Sequence, residues 1–238
     1  MNLVLLHPHD WTAEDHVVLR DHRAIHLRTV LNVAIGDVVR VGLVGGLRGE
    51  GVVRSLGGEG VLLSIALDES PPPRHPFDIV LSLPRPKMLR RILRTVAEFG
   101  VENLHLIHSV RVEKSYWQSP LLRPHNLEAA LLAGMERSLD TLMPAVHLHR
   151  RFRPFVEDQL PLLCADRPCW IADPDASLCL AEAPPGPAVV MIGPEGGFVP
   201  FEVALAERVI ARRVHLGRRI LSVDTALPTV LAQALPGR

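Results

Sequence analysis

The sequence predicts an α/β protein in two parts. A β-rich domain covers residues 1–70, a proline-rich linker covers 71–76, and a larger α/β domain with a mostly parallel sheet covers 77–238. Three observations carry this reading. Before the linker, three apolar and partly alternating runs are separated by glycine turns, which is the pattern of a small barrel or sandwich. Residues 71–76 contain four prolines, which neither a helix nor a central strand accommodates. Beyond them, buried-strand patterns alternate with amphipathic helices.

The elements follow in order. HRAIHLRTVLNVAIGD reads as a short helix ending near Gly36. The strands Val38–Val44, Gly51–Leu56 and Val61–Leu67 come next, divided by Gly45-Gly46 and by Gly57-Gly58-Glu59-Gly60. In the second part, Phe77–Leu83 is a buried-strand pattern, and Lys87–Phe99 is an amphipathic helix closed by Gly100. A strand at Val101–Ser109 and a helix at Asn126–Leu139 follow, then weaker strands at Ala145–His149 and Cys169–Ala172. Val189–Ile192 is a strand that leads through a glycine turn into a helix at Phe201–Arg212. A short strand at Val214–Leu216 precedes a last helix from about Thr225.

Composition narrows the class. Hydrophobic residues make up 47% and charged residues 22%, a globular balance. No apolar run approaches the roughly 18–20 residues of a membrane span. The opening MNLVLLHPHDW lacks a basic n-region and is a poor signal peptide. Cys164, Cys169 and Cys179 are odd in number and form no Cys-x-x-Cys, which points to a reducing cytoplasm rather than a disulfide scaffold or zinc ribbon. The histidines at His7, His9, His147 and His149 lack cysteine or carboxylate partners at ligand spacing, so no metal is expected. Basic and acidic residues balance at 26 each, which argues against non-specific coating of nucleic acid but leaves room for a local basic face.

AVVMIGPEGGFVPFE, residues 188–202, sets the functional question. A buried strand stops at Gly193-Pro194-Glu195-Gly196-Gly197 with a carboxylate inside the glycine turn. Neither the phosphate loop with its Gly-Lys-Ser/Thr nor the dinucleotide Gly-x-Gly-x-x-Gly is present, and Glu195 would repel a phosphate. In parallel sheets, ligands sit beyond the carboxyl ends of the strands. The loop from His215 to Leu221 shares that location. The plainer alternative is a structural turn whose glutamate caps the helix that follows.

Several segments together resemble a known family. Ile192-Gly193-Pro194-Glu195-Gly196-Gly197 is followed by Leu216-Gly217-Arg218-Arg219-Ile220-Leu221-Ser222-Val223-Asp224-Thr225-Ala226. His26-Leu27 with Val30-Leu31 and Gly36-Asp37, then Val96-Ala97-Glu98-Phe99-Gly100-Val101, then Glu136 and Ser138 with Pro144, fall in the same order. The chain is similar over essentially its whole length to the RsmE type of SPOUT-class methyltransferase, which methylates N3 of a uridine in 16S ribosomal RNA. The resemblance implies an N-terminal PUA-like β-barrel that grips RNA and a C-terminal SPOUT α/β domain with a deep trefoil knot. It also implies a cytoplasmic homodimer that acts on 16S rRNA within the small ribosomal subunit.

The cofactor so implied is S-adenosyl-L-methionine, held by Ile192, Gly193, Glu195, Gly196, Gly197, Leu216, Gly217, Ile220 and Leu221. Glycines let main chain approach the cofactor where side chains would obstruct it. N3 of uracil carries a proton, so the reaction needs a base, or donors that stabilise the anion on O2 and O4. Glu195 is the candidate base; Arg219, with Arg111, is the candidate donor. The target base must also be unpaired or flipped. Lys87, Arg90, Arg91 and Arg94 form a basic helical stripe with no acid before Glu98, expected to contact RNA phosphates together with Arg111. His147–Arg153 is a weaker stripe of the same kind, and Tyr116-Trp117 an aromatic pair able to stack a base or simply to pack.

Four positions depart from the family pattern: Thr95, Arg137, Ser222 and Asp224. They keep two alternatives open: a degenerate RNA- or ribosome-binding paralogue, and a SPOUT methyltransferase with another RNA target.

Overall fold

The computed structural model describes residues 2–58 and 60–235; Glu59, read above as part of a glycine turn, lies outside the described residues. The chain forms two compact units, residues 1–72 with 132–143, and residues 73–131 with 144–238.

The first unit is a curled six-stranded sheet. Its strands are β1 (Val4–Leu6), β2 (Trp11–Ala13), β3 (His16–Leu19), β4 (Val38–Leu43), β5 (Arg48–Gly57) and β6 (Gly60–Glu69), in the order β1-β4-β5-β6-β3-β2. The alternating runs read from the sequence are β4, β5 and β6, paired antiparallel. Their inward residues Val39, Val41, Val53, Val61 and Leu63 form the core with Leu27 of helix α1 (His22–Thr29). That helix is shorter than the sequence pattern suggests. It stops at Val30, and Asn32 then turns the chain with φ 50°. Residues 132–143, which the position of the linker assigns to the second domain, belong to this unit for a hydrogen-bonding reason. The Asn2 and Leu3 N–H groups donate to Glu136 O, and Gly45 N–H donates to Thr141 O.

The second unit is built on a parallel sheet of order β12-β10-β11-β7-β8-β9. Its strands are β7 (Phe77–Ser82), β8 (Asn103–Ile107), β9 (Ala145–His149), β10 (Cys169–Ala172), β11 (Ala188–Ile192) and β12 (Arg212–Val214). Every residue of β7 and β11 is buried, as expected of central strands covered on both faces. The helices are α2 (Pro86–Glu98), α3 (Pro124–Ser138, up to Leu131 in this unit), α4 (Phe152–Pro154), α5 (Leu160–Cys164), α6 (Pro200–Val209) and α7 (Val223–Leu231), with a π-helical turn at Phe155–Gln159. In α2, Leu89, Ile92, Leu93 and Val96 are buried while Lys87, Arg90 and Arg91 are exposed; Arg94, read from the sequence as part of the same stripe, is half-buried, so only three of its four basic residues face solvent. The strand expected at Val214–Leu216 lies earlier, because Arg212–Val214 pairs with Trp170–Ala172 and leaves 215–221 as loop. Among the described residues no helix is long and apolar enough to cross a membrane.

Candidate active site

All six strands of the second sheet run parallel, so the loops after β10, β11 and β12 gather at one edge. They enclose a cleft of ≈ 470 Å³. All nine residues expected from the sequence to hold a cofactor line it, Glu195 among them, as do Arg219 and Arg111. Ligand pockets are commonly about 300–1,000 Å³, so the volume suits one small organic molecule.

The glycine turn forms one wall. Gly197 has φ +73°, and its N–H donates to Pro194 O at 2.7 Å. A Cβ on Gly193 would lie 2.9 Å from Phe198 N and 3.2 Å from Gly197 Cα, inside main chain that cannot withdraw. The turn is held by Arg111, whose Nη1 donates to Gly196 O.

Glu195 is not the helix cap. That role belongs to Glu202, 1% exposed, whose Oε2 accepts the Val199 N–H at 2.9 Å and whose Oε1 accepts the Val110 N–H at 2.8 Å. Glu195 is thus left free of the helix, an exposed residue of the cleft lining with Arg85 Nε 3.9 Å from its Oε1.

The loop after β12 forms the opposite wall through Leu216, Gly217, Ile220 and Leu221. Gly217 has φ +116°, a conformation that L side chains rarely adopt. Beyond it, Ser222 Oγ donates to Asp224 Oδ1 at 2.6 Å, and Arg91 Nη1 donates to Asp224 Oδ2 at 3.0 Å. The Ser222 hydroxyl, aided by Arg91, holds the Asp224 acid below the usual carboxylate range. Two of the four departures from the family pattern therefore make a bonded pair that fixes the start of α7. One arginine of the basic stripe, Arg91, is committed to that pair, whereas Lys87 and Arg90 project into solvent.

The sequence reading missed Ala172, Asp173, Pro174 and Asp175, the cleft wall that follows β10. The rule that pointed to the loops after β11 and β12 applies equally to β10, so the signal was available. Asp173 is oriented by the Asp175 N–H at 2.9 Å and by Arg213 at 3.6 Å. The cleft thus joins apolar walls and close main chain with three acidic residues and two arginines, Arg111 and Arg219, a mixed lining that offers both acceptors and donors to one ligand.

Fold and cleft together define an α/β protein that binds a small ligand at the carboxyl edge of a parallel sheet. A family model described as RNA methyltransferase domain matches residues 71–235, and the chain belongs to that family. The chain is 29% identical over 245 aligned residues to ribosomal RNA small subunit methyltransferase E of Treponema pallidum, covering 99% of this chain and 91% of that protein. Among solved structures, ribosomal RNA small subunit methyltransferase E from Neisseria gonorrhoeae bound to S-adenosyl methionine has a similar fold. Its TM-score is 0.74 at 21% identity, over 98% of this chain and 95% of that one. A Legionella pneumophila methyltransferase in complex with the same cofactor gives a TM-score of 0.73 at 19% identity, over 98% and 95% of the two chains.

Proposed function

We propose that the protein is an S-adenosylmethionine-dependent enzyme that methylates N3 of a uridine in 16S rRNA of the small subunit. The observation that carries this reading is the cleft itself: a glycine turn that carries Glu195 and has no room for a Cβ at Gly193, in one lining with Arg219. The residues fit the cofactor. Ile192, Gly193, Gly196, Gly197, Leu216, Gly217, Ile220 and Leu221 would hold it through main chain and apolar contact. Asp173 and Asp175 suit its cationic groups. When bound, it supplies a methyl group on an electrophilic sulfonium.

The chain's own residues supply the rest. Glu195 accepts the N3 proton of the uracil, a general-base role that contributes typically about 10²–10⁴-fold. Arg219 donates to a uracil carbonyl oxygen and stabilises the charge that develops there. Arg111 orders the glycine turn and presents charge to the RNA backbone, alongside the exposed Lys87 and Arg90 of α2.

The finer architecture belongs to the same reading. The unit of residues 1–72 with 132–143 is the PUA-like RNA-binding barrel, and that of 73–131 with 144–238 is the SPOUT domain. To this domain the same reading assigns a deep trefoil knot. The enzyme works as a cytoplasmic homodimer on the ribosomal subunit.

The test is transfer of labelled methyl from S-adenosylmethionine to 30S subunits from a strain lacking the gene. Label should enter only the deficient subunits, map to 3-methyluridine, and vanish with Glu195→Gln while calorimetric cofactor binding persists. Label on a different nucleoside, or none from protein that binds the cofactor, rejects the assigned reaction.

A further inference from the structure

The carboxyl edge of the second sheet carries more than the cleft. Arginines sit in the loops leaving four of its six strands: Arg218 and Arg219 after β12, Arg85 after β7, Arg111 after β8, and Arg150 and Arg151 after β9. All six are exposed. Their charges are largely unspent. Elsewhere in this unit Arg91, Arg153, Arg167, Arg208 and Arg213 each have a carboxylate between 2.7 and 3.7 Å away. Among the described residues, Arg85 has only Glu195 at 3.9 Å, and no carboxylate lies within ion-pair distance of the other five.

The far end of this edge is built differently from an ordinary charged surface. The Arg150 guanidinium lies 5.0 Å from the centroid of the Trp117 ring. Trp117 is 8% exposed, and its Nε1–H donates to His108 Nδ1 at 3.0 Å, so the indole is a fixed support. His108 is tied in turn by its N–H to His149 O at 2.9 Å. Arg150 is therefore held over a fixed indole ring by a cation–π contact. Beside it opens a recess of ≈ 430 Å³ lined by Arg151, Phe155 and Asp158.

We infer that this edge is the track of the single-stranded RNA that flanks the methylated base. Arg85, Arg111 and Arg151 take phosphates, and the outer face of Arg150 takes a stacked nucleobase. From β11 to β9 is three strand spacings, about 14 Å. A strand rising about 3.4 Å per stacked nucleotide covers that distance in about four nucleotides. Guanidinium planes stack on bases that are splayed out of a helix, whereas a duplex keeps its base faces inside. Asp158 offers the recess an acceptor for a base-edge N–H, not for a phosphate. The identity of the ligand as RNA rests on the proposed function; the course of the strand and its single-stranded state do not follow from it.

The test uses the full chain, a fluorescein-labelled oligouridine of about ten nucleotides, and an RNA duplex of equal length, read by anisotropy across a salt series. S-adenosylmethionine binding is measured in parallel by calorimetry. The single strand should bind more tightly than the duplex. Arg151→Ala should lower the slope of log affinity against log salt by about 0.7, one single-strand phosphate contact. Arg150→Lys keeps the charge and loses the plane, so it should weaken binding about tenfold with the slope unchanged. Cofactor affinity should not move in either variant. Wild-type affinity and slope in both variants, tighter binding of the duplex, or no oligonucleotide binding by protein that binds cofactor would each overturn the inference. Loss of cofactor binding in the wild type, with the RNA results as expected, would reject the proposed reaction and leave the track standing.

Discussion

Glu202 holds the main-chain N–H of Val110 at 2.8 Å across 92 residues of sequence, and its second carboxylate oxygen holds Val199 N–H at 2.9 Å. One buried acid thus ties the loop that carries Arg111 to the start of α6, on either side of the glycine turn.

Replacing Glu202 with Gln turns one acceptor into a donor that faces an N–H. The orphaned buried group should cost about 1–3 kcal/mol. For a chain of this size that corresponds to about 2–4 °C of melting temperature per kcal/mol. Thermal unfolding checks the cost. A fall in methyl transfer at saturating cofactor would report displacement of Arg111, and an unchanged melting temperature would show that the loop is held by other contacts.

The glycines of the turn should not be equivalent. Alanine at Gly193 drives its Cβ to 2.9 Å from Phe198 N, so main chain must move. Alanine at Gly196 meets only the flexible Arg111 side chain, whose Cδ lies 3.0 Å away. Calorimetry with S-adenosylmethionine should show a loss of affinity of about tenfold or more for Gly193→Ala, equivalent to about 1.4 kcal/mol. Gly196→Ala should cost clearly less. Equal losses would show that the turn yields at both positions.

How much of this was legible depends on what each residue type reports. The turn at 193–197 was readable, because glycine and proline mark turns directly and an apolar strand precedes it, whereas the cofactor residues of 192–197 and 216–221 came from the family resemblance. The helical path from 152 to 164 was not. Pro154 and Pro161 argue against helix, yet Pro161 lies in the first turn of α5, where the missing N–H costs little. Strands β1 and β2 have three residues each, too few for a period to register. Glu202 stands at the third position of a helix that begins with proline, a local mark of its cap on Val199, but its second partner Val110 is supplied by the fold. The same is true of Arg150 on Trp117, where each residue alone reads as surface charge or packing.

In the first unit, Arg23 is 3% exposed and makes a two-pronged ion pair with Asp10 at 2.7 Å through both terminal nitrogens, while its Nε donates to Asp21 at 3.0 Å. Burial alone would raise the Asp10 acid, but hydrogen bonds from Arg23 and the His7 N–H outweigh it and hold the acid low. Arg23→Met strands a buried charge and should cost about 3–5 kcal/mol. Adding Asp10→Asn removes that charge and keeps an acceptor for the His7 N–H, so it should restore part of the loss in urea unfolding. A double variant no more stable than Arg23→Met would show that the cost came from lost packing.

His105 of β8 gives the second unit an acid limit. It is 3% exposed, stacks on His147 with ring centroids 4.5 Å apart, and shares a hydrogen bond with His149 at 3.1 Å. Burial, reinforced by His147 and His149, pushes its pKa down to about 3, although Asp78 pulls the other way and Arg167 adds to the depression. In the unfolded chain an imidazole titrates near about 6.5, so between about 6.5 and 3 the unfolded state binds a proton that the folded state refuses. Stability from this group is complete above about 6.5 and falls with pH, by up to about 1.4 kcal/mol per unit across the window. His105→Phe fits the aromatic surroundings and removes the titration, so the variant should lose less stability than wild type between pH 6.5 and 4. Denaturant midpoints across that range provide the comparison. Parallel acid limbs in the two proteins would assign the loss to other groups, His149 and His75 first among them, because burial lowers both.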